Sequence, residues 1–344
     1  MNIQQLFGIE LPIIQAPMAG VQTSPLAIAV SNAGGLGSLP CAMLTPESMS
    51  SELKALTART DRPYNVNFFC HTPPTPDTAR EAKWRAALAP YYAEFGIDPT
   101  TIPTGAGRTP FSAEIADLLE AFKPPVVSFH FGLPSAALVA RVKSWGSKVI
   151  SSATTVAEAR WLDANGVDAI IAQGLEAGGH RGIFLDHDLS TQLGTMALLP
   201  RLVRAVGVPV IAAGGIADRQ GVLAALALGA AGVQIGTSYL LCHEATTTEL
   251  HRAALGSPST EHTVLTNLIT GRPARGMLNR LMRELGPLSE APPEFPLATA
   301  ALAPLKAAAE KLGRDDFSTL WSGQNASGCR DIPAADMTRQ LAGV

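Results

Sequence analysis

Hydrophobic residues along the chain form short continuous runs that alternate with longer segments of helical periodicity. Runs such as AIIAQ and PVIAA are apolar on both faces, which is typical of strands in a helix-covered parallel sheet. Eight runs predict strands: Ile13–Ala16, Gly35–Ser38, Asn65–Phe69, Val126–Phe131, Lys148–Ser152, Ala169–Gln173, Pro209–Ala213 and Gly232–Ile235. The segments between them predict helices, among them Ser24–Ala33, Thr155–Asn165, Thr195–Val206 and Asp218–Leu228.

Eight strands with intervening helices predict an α/β protein with the (β/α)8 TIM barrel fold. An open, doubly wound sheet is the alternative, and it would normally carry the motif GxGxxG after its first strand. The sequence at that point is QAPMAGVQ, which does not match the motif. The barrel is therefore the favoured fold.

Two segments interrupt the alternation of strands and helices. Residues 70–110 are rich in proline and polar residues and predict an insertion after the third strand. Residues 243–313 carry helical patterns, with TGRPARG (270–276) as a loop between them, and we expect this C-terminal helical extension to pack on the barrel rim. Residues 314–344 are expected to form a tail of low regularity. The predicted division is thus a barrel at 1–242, a helical segment at 243–313 and that tail.

Composition narrows the class of protein. The 344 residues are 47% hydrophobic, and 26 basic against 29 acidic side chains give a net charge of −3. Such a balance offers no positive surface for nucleic acid or an anionic membrane. The sequence has no run of 18 apolar residues, and its N-terminus lacks the features of a signal peptide, so we expect a cytoplasmic protein.

Neither cysteine nor histidine spacing predicts a metal site. The nearest candidate is His187 between Asp186 and Asp188, which lacks the ligand spacing of a known site. We therefore expect no metal and four reduced thiols. The cysteines are scattered and form no CxxC pair: Cys41, Cys70, Cys242 and Cys329.

Glycine is concentrated where the predicted strands end, which is the edge of a barrel that carries the active site. Gly214 and Gly215 follow the seventh strand, and Gly236 and Thr237 follow the eighth. Bare backbone N–H groups at a helix start can bind an anion at this position. Each pair alone is equally consistent with a tight turn, but both together predict a phosphate site, for a phosphorylated substrate or FMN.

Six stretches together carry a resemblance to a known family. They are IIQAPMAGVQTSPLAIAVSNAGGLGSL, NVNFF, VSFHFGLP, GLEAGGHRG, IAAGGIAD and GAAGVQIGTSYL. In combination they resemble the nitronate monooxygenases, formerly called 2-nitropropane dioxygenases, and specifically the class I enzymes. The resemblance runs from the N-terminus to about residue 245, with a weaker echo in TGRPARG and WSGQ.

The resemblance implies a barrel that holds FMN without a covalent bond and contains no metal. It implies oxidation of alkyl nitronates, such as propionate 3-nitronate, by O2 to a carbonyl product plus nitrite and related nitrogen oxides. Met18 would face the flavin, while the amides of Asn67 and Gln173 would bind the isoalloxazine edge. The protein would act as a monomer or a homodimer. The implied cofactor-binding residues are Ala16, Pro17, Met18, Asn67, Gln173, Gly178, Gly179, Gly214, Gly215, Gln234, Gly236 and Thr237.

Two histidines at strand ends are the candidate catalytic residues. His180 lies in GLEAGGHRG, where the glycines would clear space beside the flavin. Its imidazole would take a proton from a neutral nitroalkane, or bind an anionic nitronate while protonated. His130 in SFHFG is either a second catalytic group or a core histidine bonded to a neighbouring carbonyl. Arg272 and Arg275 would attract an anionic substrate if TGRPARG folds over the rim.

Three other functions fit parts of the pattern. An NAD(P)H-dependent FMN enoyl or quinone reductase would use the same barrel, because fold does not determine function. A non-catalytic flavin- or phosphate-binding protein would leave the position of His180 unexplained. A barrel of the IMP dehydrogenase type would need a cysteine nucleophile in a strand-end loop. None of the strand-end stretches APMAG, GLGS, NFF, HFG, SSATT, QGLEAGGHRG, AAGGI and QIGTS contains a cysteine.

Overall fold

A computed structural model describes residues 2–102 and 108–344 of the chain. Eight of the strands in these residues are the barrel strands, and each predicted strand is confirmed to within two residues at either end. The strands are β1 (Ile13–Gln15), β2 (Gly37–Pro40), β3 (Tyr64–Phe69), β4 (Val126–His130), β5 (Lys148–Ala153), β6 (Ala169–Gln173), β7 (Gly179–His180), β8 (Val210–Ala213), β9 (Gly232–Ile235), β10 (Thr263–Thr266) and β11 (Ala274–Met277).

The barrel sheet is parallel and closes on itself. Its strand order is β1-β9-β8-β6-β5-β4-β3-β2, so consecutive barrel strands are neighbours. A parallel bridge between Ile14 and Leu36 joins the two ends of this order. The bridge has two hydrogen bonds, in which Leu36 N–H donates to the Ile13 carbonyl at 2.9 Å and Gln15 N–H donates to the Leu36 carbonyl at 3.0 Å. The predicted (β/α)8 barrel is therefore confirmed.

Helices follow the barrel strands and continue through the C-terminal region, and the predicted helices are confirmed within one residue at either end. None of the helices in the described ranges is both long and apolar enough to cross a membrane. They are α1 (Ile3–Phe7), α2 (Ser24–Asn32), α3 (Pro46–Thr57), α4 (Thr78–Glu94), α5 (Ala113–Glu120), α6 (Ala136–Ser144), α7 (Val156–Ala164), α8 (Thr195–Ala205), α9 (Arg219–Ala227), α10 (Glu249–Leu255), α11 (Arg280–Leu285), α12 (Ala298–Lys311) and α13 (Ala334–Ala342).

Two apolar layers explain why the strand sequences are hydrophobic on both faces. Inside the barrel, strand residues such as Val126 and Ile171 pack with Ile3 and Phe7 of α1, which closes the N-terminal end. Gly232 permits this closure, because a Cβ there would lie 2.1 Å from the Ile3 side chain. The opposite strand faces pack against the surrounding helices. The C-terminal end of the barrel is left open for a site.

The insertion after β3 contains a long helix that the proline-rich composition of residues 70–110 concealed. Helix α4 packs against α12, and the two helices contribute to a second apolar core. Trp84 Nε1 donates to the Ala298 carbonyl at 3.1 Å, and the Tyr92 hydroxyl donates to the Ala301 carbonyl at 2.6 Å. The insertion and the helical segment 243–313 therefore pack together.

A small antiparallel sheet replaces part of the loop expected at TGRPARG. Strand β11 pairs with β10 and also with β7, where Ala274 lies opposite His180 and Arg275 opposite Gly179. The expectation of a loop is correct only for residues 270–273, because from Ala274 onward the backbone has two strand partners. This sheet carries the GLEAGGHRG segment.

The C-terminal tail is more regular than its sequence suggested. It ends in helix α13, which packs against α2 and α9 on the outside of the barrel. Tyr239 and Thr338 join the helix to the segment after β9, with hydroxyl oxygens 2.9 Å apart. Residues 334–342 thus occupy the place of a barrel helix between the first and last strands. The division into a barrel, a helical segment and a tail stays a prediction.

Candidate active site

A cavity of about 560 Å³ opens at the C-terminal ends of the barrel strands. The helical segment forms its other wall, through residues such as Leu302 and Lys306 of α12. Every residue that the sequence analysis assigned to cofactor binding or catalysis lines this one cavity: Ala16, Pro17, Met18, Asn67, His130, Gln173, Gly178, Gly179, His180, Gly214, Gly215, Gln234, Gly236 and Thr237.

His180 lies in β7 and its ring lines the cavity among aromatic side chains. The centroids of the Phe295 and Trp321 rings are 5.4 and 5.7 Å from the His180 ring. Its Nε2 is 2.9 Å from the Thr270 hydroxyl, which in turn donates to the Arg272 carbonyl at 3.4 Å. We assign the hydroxyl proton to that carbonyl, so that Thr270 accepts from His180 Nε2–H. This tautomer leaves the lone pair on Nδ1, which has no partner within the described residues.

The environment keeps the His180 imidazole neutral at pH 7. Burial lowers its pKa well below the usual value of 6.5, and the charges of Arg108 and Arg272 lower it further, together with neighbouring His130 and His71. A buried imidazole beside cations disfavours a second positive charge. The neutral ring can accept a proton, whereas binding of an anion by a protonated His180 is disfavoured.

His130 is bound through both ring nitrogens. Its Nε2 lies 3.2 Å from the His180 carbonyl and its Nδ1 lies 3.0 Å from the Ser152 hydroxyl. Since a carbonyl only accepts, Nε2 carries the proton and Nδ1 accepts from Ser152. Burial lowers the pKa of His130 to about 3, so it is neutral. This geometry matches the alternative of a histidine bonded to a neighbouring carbonyl.

Gln173 uses its amide within the protein. Nε2 donates to the His180 carbonyl at 2.9 Å, and Oε1 accepts from Gly182 N–H at 2.7 Å. The backbone carbonyl of Gln173 accepts from the buried Arg181 guanidinium at 2.8 Å. These bonds hold the segment from β6 to His180 in place. Because they use the Gln173 amide, that amide is not free to bind the isoalloxazine edge as expected.

The turns after β8 and β9 expose backbone to the cavity. Gly214 and Gly215 have φ of 115° and 72°, which a residue with a side chain rarely adopts. A Cβ at Gly236 would lie 3.4 Å from the Ala16 Cβ and 3.6 Å from the Met18 sulfur. Within the described residues, no acceptor binds the N–H groups of Gly215 and Gly236. These turns therefore offer free donors around open space.

Gly178 and Gly179 differ in their surroundings. A Cβ at Gly178 would lie 2.6 Å from the backbone of Ser322 and Gly323, so close packing against the tail requires this glycine. Gly179 has a φ of 72° and open space where a Cβ would stand. Of the two, only Gly179 leaves room beside the backbone for a ligand.

Three other predicted residues present polar atoms to the cavity in different ways. Gln234 Oε1 is buried without a hydrogen-bond partner among the described residues. Asn67 Nδ2 donates to the Ser128 hydroxyl at 2.9 Å, which directs its amide along the end of β4. Met18 N–H donates to Gln22 Oε1 at 2.9 Å, so its backbone donor is not available to a ligand.

The tail contributes residues that the sequence analysis did not assign. Gly323 N–H donates to the Thr237 hydroxyl at 3.0 Å, and Asn325 Nδ2 donates to the Gly215 carbonyl at 3.0 Å. Both residues line the cavity. The only indication of Gly323 and Asn325 in the sequence was the motif WSGQ, which resembles the family weakly. Arg108 of the insertion also lines the cavity and was likewise not assigned.

The described His, Cys, Asp and Glu side chains were compared for a possible metal site. In residues 2–102 and 108–344, no three His, Cys, Asp or Glu side chains come together in a way that could hold a metal ion. All four cysteines are free thiols, and burial raises the pKa of the Cys329 thiol to about 11.

Comparison with known proteins identifies the family. A family model described as nitronate monooxygenase matches residues 2–343. The chain is 45% identical over 342 residues to a nitronate monooxygenase of Paraburkholderia phytofirmans, covering 98% of this chain and 92% of that one. It is 42% identical to a nitronate monooxygenase of Pseudomonas aeruginosa, covering 98% and 97% of the two chains.

A solved structure leads to the same assignment. The fold superimposes on the crystal structure of a nitroalkane oxidase from Streptomyces ansochromogenes with a TM-score of 0.90 and 39% sequence identity. The superposition covers 99% of this chain and 96% of that one. With the family match over nearly the whole length, the conclusion is direct: this chain belongs to the nitronate monooxygenase family.

Proposed function

We propose that this protein oxidises alkyl nitronates with molecular oxygen and uses FMN as its cofactor. The observation that carries the proposal is that one cavity joins neutral His180 to the glycine turns after β8 and β9. The family supports a flavin enzyme, and the names of the relatives support nitronate as substrate. The likeness to a nitroalkane oxidase supports the same class of small nitro compound.

The residues present fit FMN. The free N–H groups at Gly215 and Gly236 suit a phosphate, and the open space at Gly179 suits close approach of a ligand to backbone. The partnerless Gln234 Oε1 needs a donor, which a ribityl hydroxyl would supply. Met18 and Asn67 would lie beside the ring system. When bound, FMN supplies the electron-accepting chemistry of the reaction.

His180 is the proposed catalytic base for neutral nitroalkanes. The Nε2–H group of His180 donates to Thr270, so Nδ1 carries the free lone pair. Nδ1 is therefore the atom that would take a proton from the carbon next to the nitro group. A nitronate has already lost that proton and needs only to be oriented. The rings of Phe295 and Trp321 would limit access of water to this position.

His130 and Gln173 are proposed as positioning residues. Both donate to the His180 carbonyl, at 3.2 and 2.9 Å, and so hold the backbone from which the base projects. This role explains why His130 is bound at both nitrogens. A cytoplasmic location and a monomeric or homodimeric state stay predictions.

The direct test is isolation of the protein and analysis of its flavin. We expect yellow protein that releases FMN on acid treatment and consumes O2 with alkyl nitronates. Colourless protein that FMN cannot reconstitute would contradict the cofactor. Flavin-containing protein with no O2 uptake on a panel of nitronates, including propionate 3-nitronate, would contradict the reaction.

A further inference from the structure

Arg108 lines the active-site cavity and has no partner for its positive charge among the described residues. Its guanidinium carbon lies 5.4 Å from the centre of the Phe295 ring, and that ring lies 5.4 Å from His180. Within the described residues, no hydrogen bond or ion pair involves the guanidinium. The neighbouring segment 103–107 has the sequence PTGAG, which contains no acidic side chain.

Three other arginines near His180 are bound by protein oxygens. Arg181 donates to the Gly174 carbonyl at 2.7 Å, and Arg275 donates to the Leu175 carbonyl at 2.9 Å. Arg272 donates to the Ile183 carbonyl and lies over the Phe131 ring at 4.0 Å. Arg272 Nε is also without a partner among the described residues, but each of these three arginines donates at least one hydrogen bond to a carbonyl. Arg108 differs because, within residues 2–102 and 108–344, its guanidinium contacts the face of the Phe295 ring and donates to no acceptor.

The other charged groups in the cavity do not neutralise Arg108. Lys306 Nζ lies 3.9 Å from Glu310 Oε1, and the Ser318 hydroxyl donates to the same oxygen at 2.6 Å. Glu310 is therefore already occupied. An uncompensated charge at a site shielded from water is costly unless a counter-charge binds there. As far as the described residues show, Arg108 is thus a cation without a counter-charge beside the space that His180 faces.

We propose that Arg108 is the anion anchor of this cavity and binds the oxygens of the negatively charged group of the substrate. The proposal rests on the proposed function, since a nitronate is an anion and some nitronates also carry a carboxylate. A planar guanidinium matches both groups, because each presents two oxygens to a pair of parallel N–H donors. Arg108 is thus assigned a specificity role that complements the base.

The assignment separates two tasks within the site. Arg108 holds the charge of the substrate, so His180 does not need to become protonated to bind an anion. The positive charges of Arg108 and Arg272, with His130 and His71 alongside, all disfavour protonation of His180. Neutral His180 then remains free to accept a proton at Nδ1.

The test compares Arg108→Gln with wild type on two nitronates. Ethyl nitronate carries one negative charge, whereas propionate 3-nitronate carries a carboxylate as well. We expect KM to rise roughly 10- to 100-fold, as for loss of charged hydrogen bonds, with kcat changed less than about threefold. A rise for both substrates identifies the nitronate oxygens as the bound group, and a rise for propionate 3-nitronate alone identifies the carboxylate. Unchanged KM for both overturns the proposal.

Arg160→Gln is the matched control, since Arg160 is exposed on α7 and its loss changes net charge equally. Circular dichroism and flavin content should stay at wild-type values in both variants. If Arg108→Gln does not fold, Arg108→Met repeats the test with an apolar chain of similar length. A second readout is the imidazole pKa of His180 by NMR, which should rise in the Arg108 variant and not in the control. A higher KM without that rise indicates altered cavity shape and also overturns the proposal.

Binding of 3-nitropropionate, followed by the same imidazole signals, separates this proposal from the proposed function. This ligand carries a carboxylate and requires no turnover to be detected. Wild-type protein that binds it more tightly than Arg108→Gln does, but oxidises no nitronate, contradicts the function and leaves Arg108 as an anion anchor. Wild-type activity with no effect of Arg108→Gln on binding or KM contradicts the anchor alone.

Discussion

His130 Nε2 donates to the backbone carbonyl of His180 across 3.2 Å, so the histidine that ends β4 fixes the position of the histidine in β7. The two residues are 50 positions apart in the chain and were both candidates for catalysis. The bond gives them unequal roles. Both ring nitrogens of His130 are hydrogen-bonded within the protein, whereas His180 keeps Nδ1 free at the cavity.

Replacement of His130 by Asn should therefore weaken the site without removing its base. The shorter amide cannot keep both bonds, so we expect a loss of about 1–3 kcal/mol in the free energy of unfolding. Rates on nitroalkane and nitronate should fall by similar factors, because the geometry of the site is affected for both. Urea titration and O2 uptake measure the two effects. A selective loss on neutral nitroalkanes would instead make His130 a base.

The pH dependence of unfolding provides a second test of His130. Its pKa is about 3 in the folded protein, compared with 6.5 for an ordinary histidine. Between these values the unfolded chain binds the extra proton, so stability falls as the pH decreases from 6.5 toward 3. The slope from this residue is about 1.4 kcal/mol per pH unit. His130→Asn should lose that part of the slope between pH 6 and 4.5, as measured by urea titration across that range.

The barrel was predictable because its information is local. Strands such as β8 are apolar on both faces and are followed by a helix, and this pattern is typical of a parallel sheet that is buried on both faces. The strand-end position of His180 and of the glycines after β8 and β9 follows from the same alternation. One cavity therefore contains all fourteen predicted residues.

The remaining parts depend on contacts between distant segments. Helix α4 was concealed by the prolines around it, although Trp84, Leu88 and Tyr92 recur at helical spacing. Gly182 N–H donates to the Gln173 side chain, and the Ser152 hydroxyl donates to His130. The sequence alone did not indicate that these two side chains would be bound within the protein. No local pattern places the tail beside Thr237, since 86 residues separate Thr237 from Gly323.

Replacement of His180 by Asn should remove the base and spare the cofactor. We expect activity on neutral nitroalkanes to fall roughly 10²- to 10⁴-fold, which is the usual contribution of a positioned base. Activity on preformed nitronate should fall less, because that substrate has no proton to lose and Arg108 holds its charge. The measurements are O2 uptake with each substrate form and FMN content, with His187→Asn as the control. Full rates on both forms with FMN bound would rule out the role.

Replacement of Gly236 by Ala should act on the cofactor and leave the apoprotein folded. The added Cβ would make only ordinary contacts with Ala16 and Met18, at 3.4 and 3.6 Å, so the barrel has no reason to unfold. In the holoenzyme the same methyl would stand where the ligand is proposed to lie. Overpacking of about 1–3 kcal/mol corresponds to a roughly 5- to 150-fold higher Kd for FMN.

Equilibrium dialysis with FMN and circular dichroism of the apoprotein give the two readouts for Gly236→Ala. Gly256→Ala is the control, because a Cβ there also meets only ordinary contacts, at 3.7 Å, and Gly256 does not line the cavity. Unchanged FMN affinity in Gly236→Ala would place the flavin elsewhere in the cavity.

Replacement of Asn325 by Ala tests whether the tail is part of the cofactor site. Asn325 Nδ2 donates to the Gly215 carbonyl, and this bond holds the turn whose N–H is proposed to bind phosphate. Loss of one such bond is worth about 0.5–1.5 kcal/mol, so the Kd for FMN should rise roughly 2- to 10-fold. Because the turn keeps its glycines, the variant should fold and still bind FMN at high concentration. Asn165→Ala is the control, since Asn165 also donates to a carbonyl, that of Trp161 at 2.8 Å, but does not line the cavity. Equal FMN affinity in both variants would show that the tail does not contribute to FMN binding and that the barrel residues form the site.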